Sequence, residues 1–339
     1  MKLLIITQKV DKTDPILGFF HRWIAEFAKQ CDGVTVIGQT VGAYDPAKNV
    51  TIRSLGKESG KSRVFQVFRF WKMCFALRKD YDAVLVHMTP IWMVLGAPVW
   101  ILLRKRRYLW YEARGTRWPL RVSLHVVQKV FSASVHGMPL RSSRSVIVGH
   151  GIDTDFFAPG NTERDPHLLL TVGRITASKH LPEILSAFEH LPKKFSLMII
   201  GRPLTADDAQ LAESLKEEIK KKNLGDRVRM LPATQDALLP LLRRASVFVH
   251  ASSTSLDKAV LEAFAAGCIV VSTAEAVQPL LSPECQATQD TLAARIQGVA
   301  ELPATDKEGI ASQQREIIVN NHSLKRLVQR LTAEMVSTS

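Results

Sequence analysis

The stretch from Ser252 to Thr273 reads SSTSLDKAVLEAFAAGCIVVST: a polar loop, a short helix with the single acidic residue Glu262, a glycine stop at Gly267 and a buried strand. Upstream, TVGR at 171–174 closes another strand on Gly173 and Arg174, and Lys179 follows at the start of a helix. A guanidinium grips phosphate oxygens in a bidentate fork, and an ammonium adds a mobile point charge. The free amides at the amino end of a helix present partial positive charge to an anion, and Ser255 or Asp257 is placed to cap the helix that follows. A carboxylate about one turn into that helix, Glu262, can accept hydrogen bonds from two ribose hydroxyls. Together these groups suit a negatively charged, ribose-containing ligand.

Such groups need strands to carry them. Short β-branched runs alternate with amphipathic stretches of helical period along the whole chain. In the first half the strands read LLIIT at 3–7, VTVIG at 34–38, AVLVH at 83–87 and SVIVG at 145–149, with helices expected over 19–30 and 64–78. In the second half, LLLTVG, SLMIIG, RVRML, SVFVHA and CIVVST recur at 168–173, 196–201, 227–231, 246–251 and 268–273. Strands alternating with helices imply parallel sheets covered on both faces, and two such series imply two Rossmann-like domains in an α/β protein. A length of 339 residues also exceeds what one core usually absorbs. The join is expected near GIDTDFFAPGNTERDPH at 151–167, where polar residues, Gly and Pro replace the periodic pattern. The expected division is 1–155, 156–322 and a C-terminal helix, 323–339, packing back on the first domain. A cleft between the domains is the default ligand site.

Charge separates the halves: residues 1–150 hold 24 Lys/Arg against 9 Asp/Glu, whereas 151–339 hold 21 against 23. The excess is densest at Arg104, Lys105, Arg106, Arg107, Arg114, Arg117 and Arg121, interleaved with Tyr108, Trp110, Tyr111 and Trp118. That mixture suits anionic lipid headgroups or nucleic acid, and its plain alternative is a solvated basic face. The four cysteines are far apart and read as reduced core residues of a cytoplasmic protein. The start, MKLLIIT, lacks the pattern of a signal peptide. Ala83 to Leu103 has the length of a membrane span, yet His87, Pro90 and Pro98 interrupt it, and a strand followed by a buried helix from Trp92 to Leu103 explains it better. GKESGKS at 56–62 imitates a phosphate-binding loop with one residue too few, and no strand is expected before it, so it reads as a solvated linker.

These residues resemble retaining glycosyltransferase family 4, whose fold is GT-B, two Rossmann-like domains facing each other across a cleft. GHGIDTDFFAP at 149–159 looks like the family's segment leading into the second domain, with His150 in place of its asparagine. LLLTVGRITASK at 168–179 is similar to its Gly-Arg-x4-Lys segment, which implies that Arg174 and Lys179 bind and polarise the donor diphosphate beside Gly173. SLDKAVLEAFAAG at 255–267 looks like its glycine-rich loop and helix, which implies donor contacts from Ser255, Leu256, Asp257 and Lys258 and ribose binding by Glu262. The first glutamate of the family's E-x7-E pair falls on Thr254, and Gly-Phe-Gly is replaced by Ser255-Leu256-Asp257, a departure that bears on sugar identity and competence. Asp257 is a candidate for a displaced carboxylate. Gly18 stands where the family has a glycine-containing loop after its first strand. Taken alone, a histidine at a strand end such as His87 is a core residue; the resemblance implies a place beside the reacting sugar.

The implied reaction moves a hexose from a nucleoside-diphosphate sugar to an acceptor hydroxyl with retention of configuration, and the fixed cations stabilise the departing diphosphate without a metal or cofactor. The expected acceptor is a glycan or lipid-linked glycan of the cell surface, met by the basic first domain at the inner face of an anionic membrane; no nucleic acid is expected. A GT-B epimerase and a catalytically weakened sugar-nucleotide-binding protein use the same site. A nicotinamide-dependent oxidoreductase lacks its Gly-x-Gly-x-x-Gly, and a nucleic-acid-binding module leaves Arg174, Lys179 and Glu262 without a task.

Overall fold

The computed structural model describes all residues except Pro15, Arg114, Ala233, Thr234, Thr254, Ser255, Thr338 and Ser339, and the side chains of Gln235 and Asp236. Two compact units emerge, Met1–Gly151 with Leu324–Ser339, and Ile152–Ser323. The first holds seven strands: β1 (Lys2–Val10), β2 (Gly33–Val41), β3 (Val50–Ser54), β4 (Ala83–His87), β5 (Arg106–Trp110), β6 (Lys129–Ser132) and β7 (Ser145–Ile147). They pair in the order β3-β2-β1-β4-β5-β6-β7, all in parallel. The side-chain period of two divides β1 between the two faces of this sheet. Leu3 and Ile5 join the core under α1 (Phe20–Gln30) and α11 (Leu324–Val336), while Leu4 and Ile6 join the core under α2 (Arg63–Ala76), α3 (Pro90–Leu102) and α4 (Trp118–Val126). The C-terminal helix α11 thus belongs to this unit through Leu327, Val328, Leu331 and Met335, which are buried in that first core beside Trp23 and Phe27.

The second unit holds β8 (Asp165–Val172), β9 (Ser196–Ile200), β10 (Val228–Leu231), β11 (Ala245–His250) and β12 (Ile269–Ser272), parallel in the order β10-β9-β8-β11-β12. Its helices are α5 (Leu181–Glu189), α6 (Ala206–Lys221), α7 (Gln235–Arg244), α8 (Lys258–Ala265), α9 (Leu292–Glu301) and α10 (Ala304–Asn321). Strands β8, β11 and β12 are the apolar runs expected of strands buried on both faces. The chain leaves β8 toward β9 and returns to β11 on the other side of β8, so the order reverses between β8 and β11. Open α/β sheets bind their ligands beyond the strands' carboxyl ends at such a reversal.

Three sequence readings need correction. The first part of the basic and aromatic run at 104–121 is the core strand β5: Tyr108, Trp110 and, just after it, Tyr111 are buried, and Lys105, Arg106 and Arg107 donate to the carbonyls of Tyr81, Met335 and Val126. Arg104, Arg117, Trp118 and Arg121 are its exposed members, and Arg114 lies outside the described residues. GKESGKS is preceded by a strand, β3, whose polar alternation Thr51-Ile52-Arg53-Ser54 disguised it, and leads into α2 through Ser62, whose hydroxyl accepts from the Phe65 amide. The helix expected from Trp92 starts at Pro90, whose fixed φ suits a first helical position, and its last turn exposes Ile101 and Leu102. Among the described residues no helix is long and apolar enough to cross a membrane.

Candidate functional site

At the reversal in the second unit, the carboxyl ends of β8, β11 and β12 bring five side chains together. After β8 the chain passes Gly173 and the exposed Arg174 into a 3-10 turn, Ala177–Lys179, ended by His180 at a φ of 50°. The turn is tied to the loop after β11 by the Ser253 amide, which donates to the Ser178 carbonyl at 3.0 Å. Lys179 Nζ donates to Asp257 Oδ2 at 2.5 Å and lies 3.3 Å from Ser252 Oγ. His250, the last residue of β11, places Nε2 at 2.8 Å from the same Asp257 oxygen and Nδ1 at 3.0 Å from Ser272 Oγ. Burial alone would raise the Asp257 carboxyl; the hydrogen bond with His250 and the charge of Lys179 outweigh it and hold the group far below the usual carboxylate range. Asp257 is the residue before α8, so its pair with Lys179 fixes an ammonium at that helix's amino end.

This geometry refines three expectations. Asp257 occupies the N-cap position but makes no side-chain cap, because its carboxylate turns to Lys179 and His250 instead. Lys179 carries a carboxylate of its own chain, so an anion reaching it meets a shared cation. Leu256 is buried, Lys258 is half-buried, and Thr254 and Ser255 lie outside the described residues. Glu262 sits on α8 at 6% exposure among Val260, Leu261, Ala263 and Phe264.

The helix is held at its other end by arginines. Arg164 donates to the carbonyls of Ala266, Leu242 and Ala245 at 2.7, 2.9 and 2.6 Å, and Arg315 donates to that of Ala265. Cations there offset the negative end of the helix dipole and fill carbonyls left open by the last turn. Gly267 follows at a φ of +70°, a conformation that favours glycine, and its amide donates to the Phe264 carbonyl. Gly201, after β9, matters for the neighbouring loop: a Cβ there would lie 1.9 Å from the Gly173 carbonyl oxygen.

The first unit has its own reversal, between β1 and β4, and Gly18 and His87 stand by it. The loop after β1 is braced by Asp14, which accepts from Lys9 Nζ at 2.7 Å and from the amides of Ile16 and Leu17. A Cβ on Gly18 would come within 2.5 Å of the Asp14 carbonyl oxygen, so glycine lets this loop fold on itself before α1. The hydrogen bond from Lys9 to Asp14 raises the lysine's pKa, while the same carboxylate, pushed upward by burial, ends below its ordinary value. His87 is 3% exposed; its ring stacks on Phe20 at 4.0 Å between centroids, and Nδ1 lies 3.3 Å from Thr7 Oγ1. Beside Met88 at the strand's end begins a cavity of about 900 Å³, lined on its polar side by Gln8, Gln39, Lys57, Arg63 and Arg117.

Sequence reasoning missed His250 and Ser272, although SVFVHA ends a strand on histidine as AVLVH does. It also missed Asp14, because a carboxylate that braces a loop has no periodic signature.

Residues 153–280 match the model of the family described as "Glycosyl transferases group 1", a segment that contains Arg174, Lys179, His250, Asp257 and Glu262. No curated sequence relative matches the chain. Among solved structures it is similar to Anabaena Alr3699/HepE, determined in complex with UDP and glucose, at TM-score 0.76 and 18% identity with 100% of both chains covered. It is also similar to a glycosyltransferase from Rickettsia africae at TM-score 0.75 and 15% identity, and to sucrose-phosphate synthase from Thermosynechococcus elongatus at 0.75 and 16%, again with 100% of both chains covered. The fold is GT-B. Both Rossmann-like units take part in the likeness, and the family-model match lies wholly in the second.

Proposed function

We propose that the chain is a glycosyltransferase that moves a hexose from a nucleoside-diphosphate sugar to an acceptor hydroxyl with retention of configuration, as a member of family 4. The observation that carries the reading is the 2.5 Å contact of Lys179 with Asp257, which sets an ammonium at the amino end of α8. A diphosphate placed there meets a cation and the positive end of the helix dipole together, with Arg174 exposed on the loop that carries Lys179. Glu262, within the same helix, takes the ribose, and Gly173 lets the phosphates approach the backbone. The family-model match over 153–280 and the UDP complexes of the Anabaena structure support this assignment.

In the proposed reaction the donor's glycosidic C–O bond breaks toward the diphosphate, whose growing charge is met by Arg174, Lys179 and the α8 amides. The acceptor hydroxyl attacks from the same face and passes its proton to the departing phosphate oxygen as the new C–O bond forms. His87 and the Gly18 loop are proposed to shape the first unit's side of the reaction, His87 by orienting its neighbours from within its aromatic packing. Leu256, Asp257, Lys258 and the undescribed Ser255 are proposed to set sugar specificity, since they replace the family's glycine-rich loop. The proposed acceptor is a lipid-linked or otherwise anionic glycan, reached at the cytoplasmic face of a membrane during glycolipid or surface-glycan synthesis.

The pairing of Lys179 with a carboxylate favours one second reading, a sugar-nucleotide-binding protein of weakened activity. Acceptor-dependent release of nucleoside diphosphate, followed with product anomers by NMR, separates the two. Transfer with retention, reduced roughly 100-fold in Arg174→Ala, is the expected result. Nucleotide binding without turnover supports the weakened protein, and conversion of the donor without an acceptor supports an epimerase; either sets transfer aside.

A further inference from the structure

Helix α2 has two apolar faces where a globular protein needs one. Phe70 and Cys74 point into the core, and Val67 and Met73 pack beside them. On the outward side Val64, Phe68, Trp71 and Phe75 recur at the i, i+4, i+7, i+11 spacing of one helical stripe, and all four are exposed, Phe68 to 65%. Neighbouring helices extend the patch: Trp71 Nε1 donates to the Leu95 carbonyl of α3, and Ser123 of α4 donates to the Pro90 carbonyl. Leu102 at the end of α3 is 77% exposed and Trp118 at the start of α4 is 61% exposed. Single exposed apolar residues are ordinary; aromatic rings on α2 and α4 together with exposed Ile101 and Leu102 on α3 mark a surface that something covers.

The charges beside it say what covers it. Helices α2, α3 and α4 contain no Asp or Glu, and the stretch from Gly60 to Lys79 contains none either. Arg63, Lys72, Lys79, Arg104 and Arg121 are exposed around the rings, and Arg78 lies over the Phe75 ring at 4.6 Å. Exposed rings with a margin of cations match the boundary between acyl chains and anionic headgroups, where aromatic side chains partition and each Lys or Arg is drawn to the surface potential. The approximately 900 Å³ cavity opens among the same helices, with Arg63 and Val67 from α2 and Ile91 and Leu95 from α3 in its wall.

We infer that the α2–α3–α4 face is an interfacial docking surface for an anionic lipid bilayer, with Phe68, Trp71 and Phe75 entering the headgroup boundary and the cavity receiving the anionic head of a membrane-anchored acceptor. The acceptor part rests on the glycosyl-transfer reading; the docking part does not. The direct experiment is flotation of the full chain with vesicles of phosphatidylcholine alone and of phosphatidylcholine mixed with phosphatidylglycerol, at low salt. Wild type should float with the mixed vesicles, with a blue shift of tryptophan emission. Phe68→Ser/Phe75→Ser should bind them about tenfold or more weakly, since each ring withdraws apolar area from water on insertion. Both rings are exposed, so the variant should keep the wild-type melting temperature and its stabilisation by nucleotide. No flotation with mixed vesicles, or equal flotation of variant and wild type, overturns the inference. So does a concentration-dependent dimer that the variant abolishes and the vesicles leave intact, which would make the face a contact between copies. Because no sugar is present, failure here leaves the donor site untouched, and failure of nucleotide binding leaves the docking surface untouched.

Discussion

At the scale of single residues, Asp257 is claimed by two cationic or polar partners at once, Lys179 and His250. Its folded-state pKa is depressed, so its contribution is fully present above the ordinary carboxylate range and is lost as pH falls through the depressed value. Asp257→Asn should therefore cost roughly 2–3 kcal/mol at neutral pH, below the full penalty for a broken buried pair because the two side chains keep 18% and 12% exposure. Urea denaturation should show that cost unchanged from pH 8 to about pH 5 and shrinking in strong acid; a cost that instead grows on acidification contradicts the pairing. Gly201→Ala is a second residue-scale case. Its Cβ meets a backbone oxygen rather than a movable side chain, so a loss of roughly 3 kcal/mol is expected by denaturation, with weaker nucleotide binding through the displaced Gly173.

At the scale of elements, α8 is a short helix whose position is set by its ends. Arg164 fills three carbonyls at once, and Arg164→Met should cost about 2–3 kcal/mol in a melt, since a buried carbonyl left without a donor is expensive. A loss under half a kcal/mol would show that water replaces it. Strands β8, β11 and β12 of the second unit were legible because doubly covered parallel strands are near-continuous apolar runs. In the first unit β3, β5 and β6 were not, since Thr51-Ile52-Arg53 and Arg106-Arg107-Tyr108 mix cations and β-formers, and their pairing is decided by neighbouring strands. The same limit explains the misplaced basic and aromatic signal: composition sees Arg107 and Tyr108 together, and only the fold sends one ring inward while α2 turns Phe68 out. Of the residues singled out by spacing, Lys179 is brought against Asp257, Arg174 stands exposed on the same loop as Lys179, and Glu262 is buried on α8. The His250–Asp257 contact was not legible, because it joins a strand end to a loop whose conformation no periodicity encodes.

At the scale of the whole molecule, the chain returns to its first unit after completing its second, and α11 closes a core begun by β1 and α1. Leu327→Ala should cost about 3 kcal/mol, and a chain ended after Ser323 should lose the cooperative unfolding of the first unit; a truncated protein with wild-type melting would show α11 to be dispensable. The basic excess of residues 1–150 and the near-neutral second half place cationic surface in one unit and the proposed donor site in the other. The second unit is expected to bind a nucleoside diphosphate through α8. The most direct test of that binding is the thermal shift of the full chain with UDP, GDP, ADP and their sugars, for wild type and Glu262→Gln. At least one nucleoside diphosphate should raise the wild-type melting temperature, as any ligand of the folded state does, and Glu262→Gln should lose most of that rise while melting near wild type without ligand. No shift with any nucleotide, or the same shift in both proteins, would contradict the account.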